Sequence, residues 1–150
     1  MFCKITSQTK AILTKNNNYY RSKIYEGNKV LYSIDSPLKI LQDNCLEGGA
    51  SLAGRKKASQ NILNSASKLP VPVDPNKGIY MFPSASKKNK LVIWLAYYQV
   101  HSYESRDDIT YVLFSDGSGL FVPVSFGVFD RQFKRTSQVI AQLHKKYIFV

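Results

Sequence analysis

The residues Gly49-Ala50-Ser51-Leu52-Ala53-Gly54-Arg55-Lys56 come within two positions of the phosphate loop G-x-x-x-x-G-K-[ST]. Arg55 stands where that loop needs lysine, and Lys56 replaces the hydroxyl that would hold magnesium. The segment before it, from Pro37 to Cys45, has helical spacing where the loop requires a strand, so nucleotide hydrolysis is not expected. Bases beside glycines can still bind phosphate through exposed backbone N–H groups. Other catalytic chemistry has little to build on. His101 and His144 belong to no H-E-x-x-H or C-x-x-C pattern, and no G-x-S-x-G elbow occurs. Asp107 and Asp108 sit in a turn signal, where short polar side chains are ordinary. No catalytic residue, metal or cofactor is expected. Binding of a polyanion is the chemistry that remains.

The cations are distributed in a way that suits it. The chain carries 21 Lys and Arg against 10 Asp and Glu, a net charge of +11. Between Arg55 and Lys90 eight bases face the single acid Asp74, and from Arg131 onward five bases face none. These segments account for the whole excess, so the field has two sources rather than a diffuse one. The candidate contacts are Arg55, Lys56 and Lys57, then Lys87, Lys88 and Lys90, then Arg131, Lys134 and Arg135. A solvated basic face is the plain alternative and an anionic membrane surface a weaker one. A polyanion site, with about six phosphates neutralised and a log K against log salt slope near −5, is the favoured reading.

These side chains need elements to hold them. The 150 residues fit a single domain, 1–150, and 44% hydrophobic with 13% aromatic content excludes a disordered chain. The longest apolar run, Leu91 to Tyr98, is far below the ~20 residues that span a bilayer, and Met1 to Lys10 lacks a secretory core. A cytoplasmic protein is expected, with Cys3 and Cys45 as reduced thiols. Tyr19 to Tyr25 and Val30 to Ile34 flank Gly27-Asn28 as a hairpin. Ser36-Pro37 caps a short helix running to Gly48, and Ser51 to Asn64 makes a second one on the surface with its bases exposed. Pro70, Pro72 and Pro75 impose an extended segment, followed by strands at Gly78 to Phe82 and Leu91 to Tyr98. Ile109 to Phe114 and Leu120 to Val124 pair across Asp116-Gly117. Trp94 belongs to the core rather than to a stacking platform, with His101 at a strand edge and His144 on a helix surface.

Phe129, Phe133, Thr136, Ile140, Leu143 and Tyr147 then recur at alternating spacings of four and three, one face of a long helix. Arg131, Lys134, Arg135, Gln138, Gln142 and Lys145 fall opposite. The expected fold is α+β, a largely antiparallel sheet with two short helices and a long carboxyl-terminal amphipathic helix.

Several blocks follow the order of a known family: Pro37-Leu38 with Cys45, Ala50 to Lys56, Pro70-x-x-Val73-Asp74-Pro75, and Ile79-Tyr80-Met81-Phe82-Pro83. Trp94 with Val100, Phe114-Ser115-Asp116-Gly117, Pro123 to Ser125, and Phe129, Gln132 and Arg135-Thr136 continue it. In these residues the sequence resembles the ComK competence transcription factors of Gram-positive bacteria. Tyr97 and Gln99 stand where that family often carries histidines, and Asp130-Arg131 replaces an acidic-asparagine pair. The resemblance implies a transcriptional activator of competence genes that binds A/T-rich double-stranded DNA, largely through the minor groove, and self-associates on it as a dimer or higher oligomer. On that basis Arg55 and Arg135 are the expected groove arginines, the lysines serving phosphates. The resemblance also implies regulated proteolysis through an adaptor and protease, acting on a tail beyond Val150. That link is not carried over to these residues. An RNA-binding module is the alternative, although the RNP pattern K/R-G-F/Y is absent, and a nucleic-acid-processing enzyme is a third reading.

Overall fold

Successive side chains of Ile93-Trp94-Leu95-Ala96 enter different cores, Ile93 and Leu95 one, Trp94 and Ala96 the other. A strand buried on both faces has to lie inside a sheet that is covered on both sides. The computed structural model, which describes residues 2–15, 17–85 and 91–148, has this arrangement. In chain order the elements are β1 (Thr9–Thr14), β2 (Ser22–Glu26), β3 (Lys29–Ser33), α1 (Pro37–Glu47), α2 (Leu52–Leu63), β4 (Val71–Asp74), β5 (Ile79–Pro83), β6 (Ile93–Ala96), β7 (Val100–Arg106), β8 (Ile109–Phe114), β9 (Gly119–Val122) and α3 (Phe126–Ile148).

Strands β1 to β6 form a six-stranded sheet in the order β3-β2-β1-β6-β5-β4, and β7-β8-β9 form a second sheet. All pairings are antiparallel. One face of the large sheet, with Ile12, Ile24, Met81 and Trp94, packs on Ile40, Leu41 and Cys45 of α1. The opposite face, with Ala11, Phe82 and Leu95, packs on Val112 and Phe114 of β8, Val122 of β9 and Phe129 of α3. The fold is α+β with the three helices expected. Trp94, 6% exposed, is a core residue as the sequence indicated. Pro72 sits in β4, an edge strand, where its missing N–H is tolerated. Gly27 takes φ +56° in the β2–β3 turn and Gly117 takes φ +89° between β8 and β9, conformations that suit glycine. Ser36 and Ser51 cap α1 and α2 through side-chain bonds from the Lys39 and Gly54 amides.

Strands β1 and β7 are additions to the sequence reading. β1 is central, and Lys10 within it is buried at a register shift. Its Nζ reaches Asp116 at 2.9 Å and Ser118 Oγ at 2.7 Å, tying the centre of one sheet to the β8–β9 turn of the other. Bonds from Ser118 and then Lys10 hold the Asp116 carboxyl well below its ordinary value of 3.8. A carboxyl depressed in the folded state contributes stability that is complete above its unfolded pKa and is lost as pH falls towards the folded one. Urea midpoints should therefore be flat above pH 5 or so and decline through the acid range below about 4, and Asp116→Asn should flatten that decline. An unaltered acid limb in Asp116→Asn would remove this pair from the account.

Candidate nucleic-acid interface

Helices α2 and α3 pack against each other, and α2 also lies along β4. Cations of both basic segments are therefore carried by two helices that meet, Arg55, Lys56 and Lys57 on α2 and Arg131, Lys134 and Arg135 on α3. Ser59 of α2 is buried and donates to the Pro70 carbonyl at 2.6 Å, which fixes the helix on the entry to β4.

The expected contacts are not equivalent. Lys57 and Arg131 are exposed, and Lys56 is half-buried. Arg55 is half-buried too, and its Nε is enclosed with no hydrogen-bond acceptor among the described residues. Its charge is felt at the buried Cys45 thiol, where it opposes the rise that burial imposes. Lys134 is 72% exposed at its side chain but pairs with Asp130 one turn earlier at 2.8 Å. Asp130 also accepts from Tyr103 Oη at 2.8 Å, so it links α3 to β7 while holding the lysine. Those two bonds, from Lys134 and then Tyr103, depress its carboxyl, and burial raises the Tyr103 phenol. Lys87, Lys88 and Lys90 lie outside the described residues.

Arg135 is differently employed. Its guanidinium donates to Gln132 Oε1 at 2.6 Å, the Ser67 carbonyl at 2.9 Å, and the Lys68 carbonyl and Ser65 Oγ at 3.3 Å each. Buried Gln132 adds a bond from Nε2 to the Lys68 carbonyl at 2.6 Å. Together they staple the loop at 65–68, which follows the left-handed cap Asn64 of α2, to the flank of α3. Burial, with a smaller push from Arg131, lowers the Arg135 pKa. A helical wheel puts this side chain on a solvent face, but the loop at 65–68 covers it there.

The rest of α3 follows the wheel with one widening. Phe129, Thr136 and Ile140 are buried and Phe133 and Leu143 half-buried, as spaced. Gln132 and Val139 are buried as well, because the helix meets α2 and the 65–68 loop in addition to the sheet. Gln138, Gln142 and Lys145 are exposed, and the side chain of Tyr147 lies outside the described residues. Tyr97 stacks on Phe133 at 4.6 Å and meets Ser137 Oγ at 2.7 Å. His144, on the surface of α3, lies 3.5 Å by Nε2 from Tyr80 Oη.

Arg135→Ala is expected to lower stability by about 2 kcal/mol, since it removes charge-assisted bonds and strands the carbonyls of the 65–68 loop. Arg135→Lys should recover only part, because an ammonium cannot reproduce the fork. Equal unfolding midpoints for the three proteins would show that the staple carries no weight.

The class that this fold defines is an α+β protein in which two packed helices both carry cations. The ComK protein family profile matches residues 2–147, and the chain belongs to that family. Over 117 residues it is 33% identical to the competence transcription factor of Bacillus subtilis (strain 168). That alignment takes in 77% of this chain and 61% of the relative, so the chain spans less than two thirds of that protein's length. No solved structure matches the chain.

Proposed function

We propose that this chain is a DNA-binding transcriptional activator of competence genes, using the α2–α3 side to bind A/T-rich duplexes largely through the minor groove. The observation that supports this reading is that two helices in contact both carry cations, Arg55, Lys56 and Lys57 on α2 and Arg131, Lys134 and Arg135 on α3. Membership of the ComK family supports the rest, because the Bacillus subtilis relative is a competence transcription factor. In this reading Lys57, Arg131 and Lys134 meet phosphates, with Lys56 and the Lys87, Lys88 and Lys90 segment as further contacts. Arg55 is the groove arginine; its Nε is enclosed in the protein, so contact with a base or phosphate falls to the remainder of this half-buried side chain. Arg135 acts through the 65–68 loop, as a positioning residue. The protein works in the cytoplasm on the nucleoid, as an oligomer on its DNA.

Groove choice is tested on three duplexes: an A/T box, the same box with inosine·cytosine pairs, and the same box with G·C pairs. Inosine·cytosine keeps an A·T-like minor groove beneath a G·C-like major groove, so it should bind like the A/T box. G·C substitution should weaken binding by about 1–3 kcal/mol per pair. Inosine·cytosine boxes that bind as poorly as G·C boxes would assign readout to the major groove. Structured RNA at matched salt is expected to bind more weakly than the A/T duplex, and the reverse order would favour an RNA-binding module.

A further inference from the structure

The end of the large sheet farthest from α2 and α3 is the strand β3, and it is built unlike a guarded edge. Natural sheet edges are blunted by proline, bulges or inward charges. β3 has none of these: it pairs with β2 in unbroken register from Lys29 to Ser33, and Val30, Leu31 and Tyr32 are all exposed. Tyr19, Tyr20 and Ile34 extend the apolar patch, with the Tyr20 ring 5.5 Å from Tyr32 and 4.8 Å from Tyr19. Lys29 closes the two-residue turn opposite Glu26, and the Ser33 carbonyl accepts from the Arg21 amide. Alternation then turns the backbone N–H and C=O groups of Val30 and Tyr32 away from β2, free to pair with another strand.

We infer that β3 is the self-association edge, pairing antiparallel with β3 of a second copy about a two-fold axis at Leu31. This rests on the oligomer proposed above and supplies its surface. The pairing sets Val30 against the partner's Tyr32, Leu31 against the partner's Leu31 and Lys29 against the partner's Ser33. No like charges face each other, and the partner's Asp35 falls on the diagonal from Lys29, within reach of a long side chain. With usual side-chain areas, the fractional exposures of the six apolar residues amount to roughly 600 Å² per copy, an upper bound that would bring the pair to the ~1,200 Å² at which specific interfaces begin only with the whole patch covered. The two α2–α3 sides point away from the joint, because β3 and β4 are opposite edges of the sheet. A second copy can thus be added without covering the cations.

The test needs no DNA. Sedimentation of the full chain should show a monomer–dimer equilibrium, and Val30→Glu with Tyr32→Glu, which opposes carboxylates across the axis, should raise its dissociation constant at least about tenfold. Both positions are exposed, so thermal unfolding should match the parent and report that the fold is intact. In a background with Cys3 and Cys45 changed to serine, Leu31→Cys should oxidise to a disulfide-linked dimer, since directly opposed strand residues lie within disulfide reach. Leu46→Cys, more exposed still on α1, should not. A parent that stays monomeric, or Leu31→Cys linking no faster than Leu46→Cys, would overturn the inference. So would a double variant that still dimerises but loses affinity for an oligo(dT) strand, which would make the patch a stacking platform. Retained A/T-duplex binding by a protein that never dimerises would sink the edge and leave the proposed function standing. Dimers without duplex binding would do the opposite.

Discussion

Phe129→Ala should lower the free energy of unfolding by about 3–5 kcal/mol, the range for deleting a fully buried aromatic ring. Phe129 is fully buried where α3 crosses the second core. Its ring centroid lies 5.8 Å from Phe82 and 4.8 Å from Tyr103, so one truncation unpacks the helix from both sheets at once. The neighbours are held by β5 and β7 and cannot collapse into the void, which places the cost towards the upper end. Phe133→Ala should cost less, because that ring is half-buried, although it stacks on Tyr97. Urea unfolding followed by circular dichroism checks both. A Phe129→Ala midpoint equal to the parent's would mean that α3 is not anchored through this core, and the α2–α3 side would lose its foundation.

The triple variant Lys57→Ala, Arg131→Ala and Lys134→Ala should weaken binding to an A/T duplex about a hundredfold near 0.15 M salt. Each phosphate contact contributes a counterion-release factor of about five at that concentration, and three are removed. The slope of log K against log salt should become shallower by about 2.7. Release of Asp130 from Lys134 adds a little repulsion on the same side, so the affinity loss can exceed what the slope explains. Lys39→Ala, on α1 and already paired with Asp43, should leave both affinity and slope unchanged. Salt titrations on one duplex separate these outcomes. A triple variant with the parent's slope would place the phosphate contacts elsewhere on the molecule.

What the sequence revealed, and what it withheld, follows from the range of the interactions involved. The hairpins, the caps at Ser36 and Ser51, and the apolar face of α3 rest on neighbours within a few residues, so their signals are local. β1 was not legible because a strand covered on both faces does not alternate, and Lys10 interrupts its apolar run. Only Asp116, 106 residues away, explains how that lysine is tolerated. β7 was missed for the opposite reason, being a polar and largely exposed strand. The basic segments were legible as charge, but spacing along one helix could not show that Arg135 is claimed by the 65–68 loop. That bond pattern depends on how α2 ends and where α3 lies, and neither is written near Arg135.

The central position of β1 also sets the order in which the protein can be made. Its outer neighbour β2 follows within a few residues, but its inner neighbour β6 is about 80 residues downstream, roughly eight seconds at a synthesis rate near 10 residues per second. Until then the large sheet is split between the β1–β3 meander and the β4–β5 hairpin, with Ile12 and Ile24 lacking Trp94 and the Lys10 ammonium lacking its carboxylate. The apolar edge of β3 is displayed throughout that interval. If β3 pairs as inferred, neighbouring nascent copies on a polysome would meet through it before any of them can acquire α3, so assembly between chains can precede completion of the chain itself.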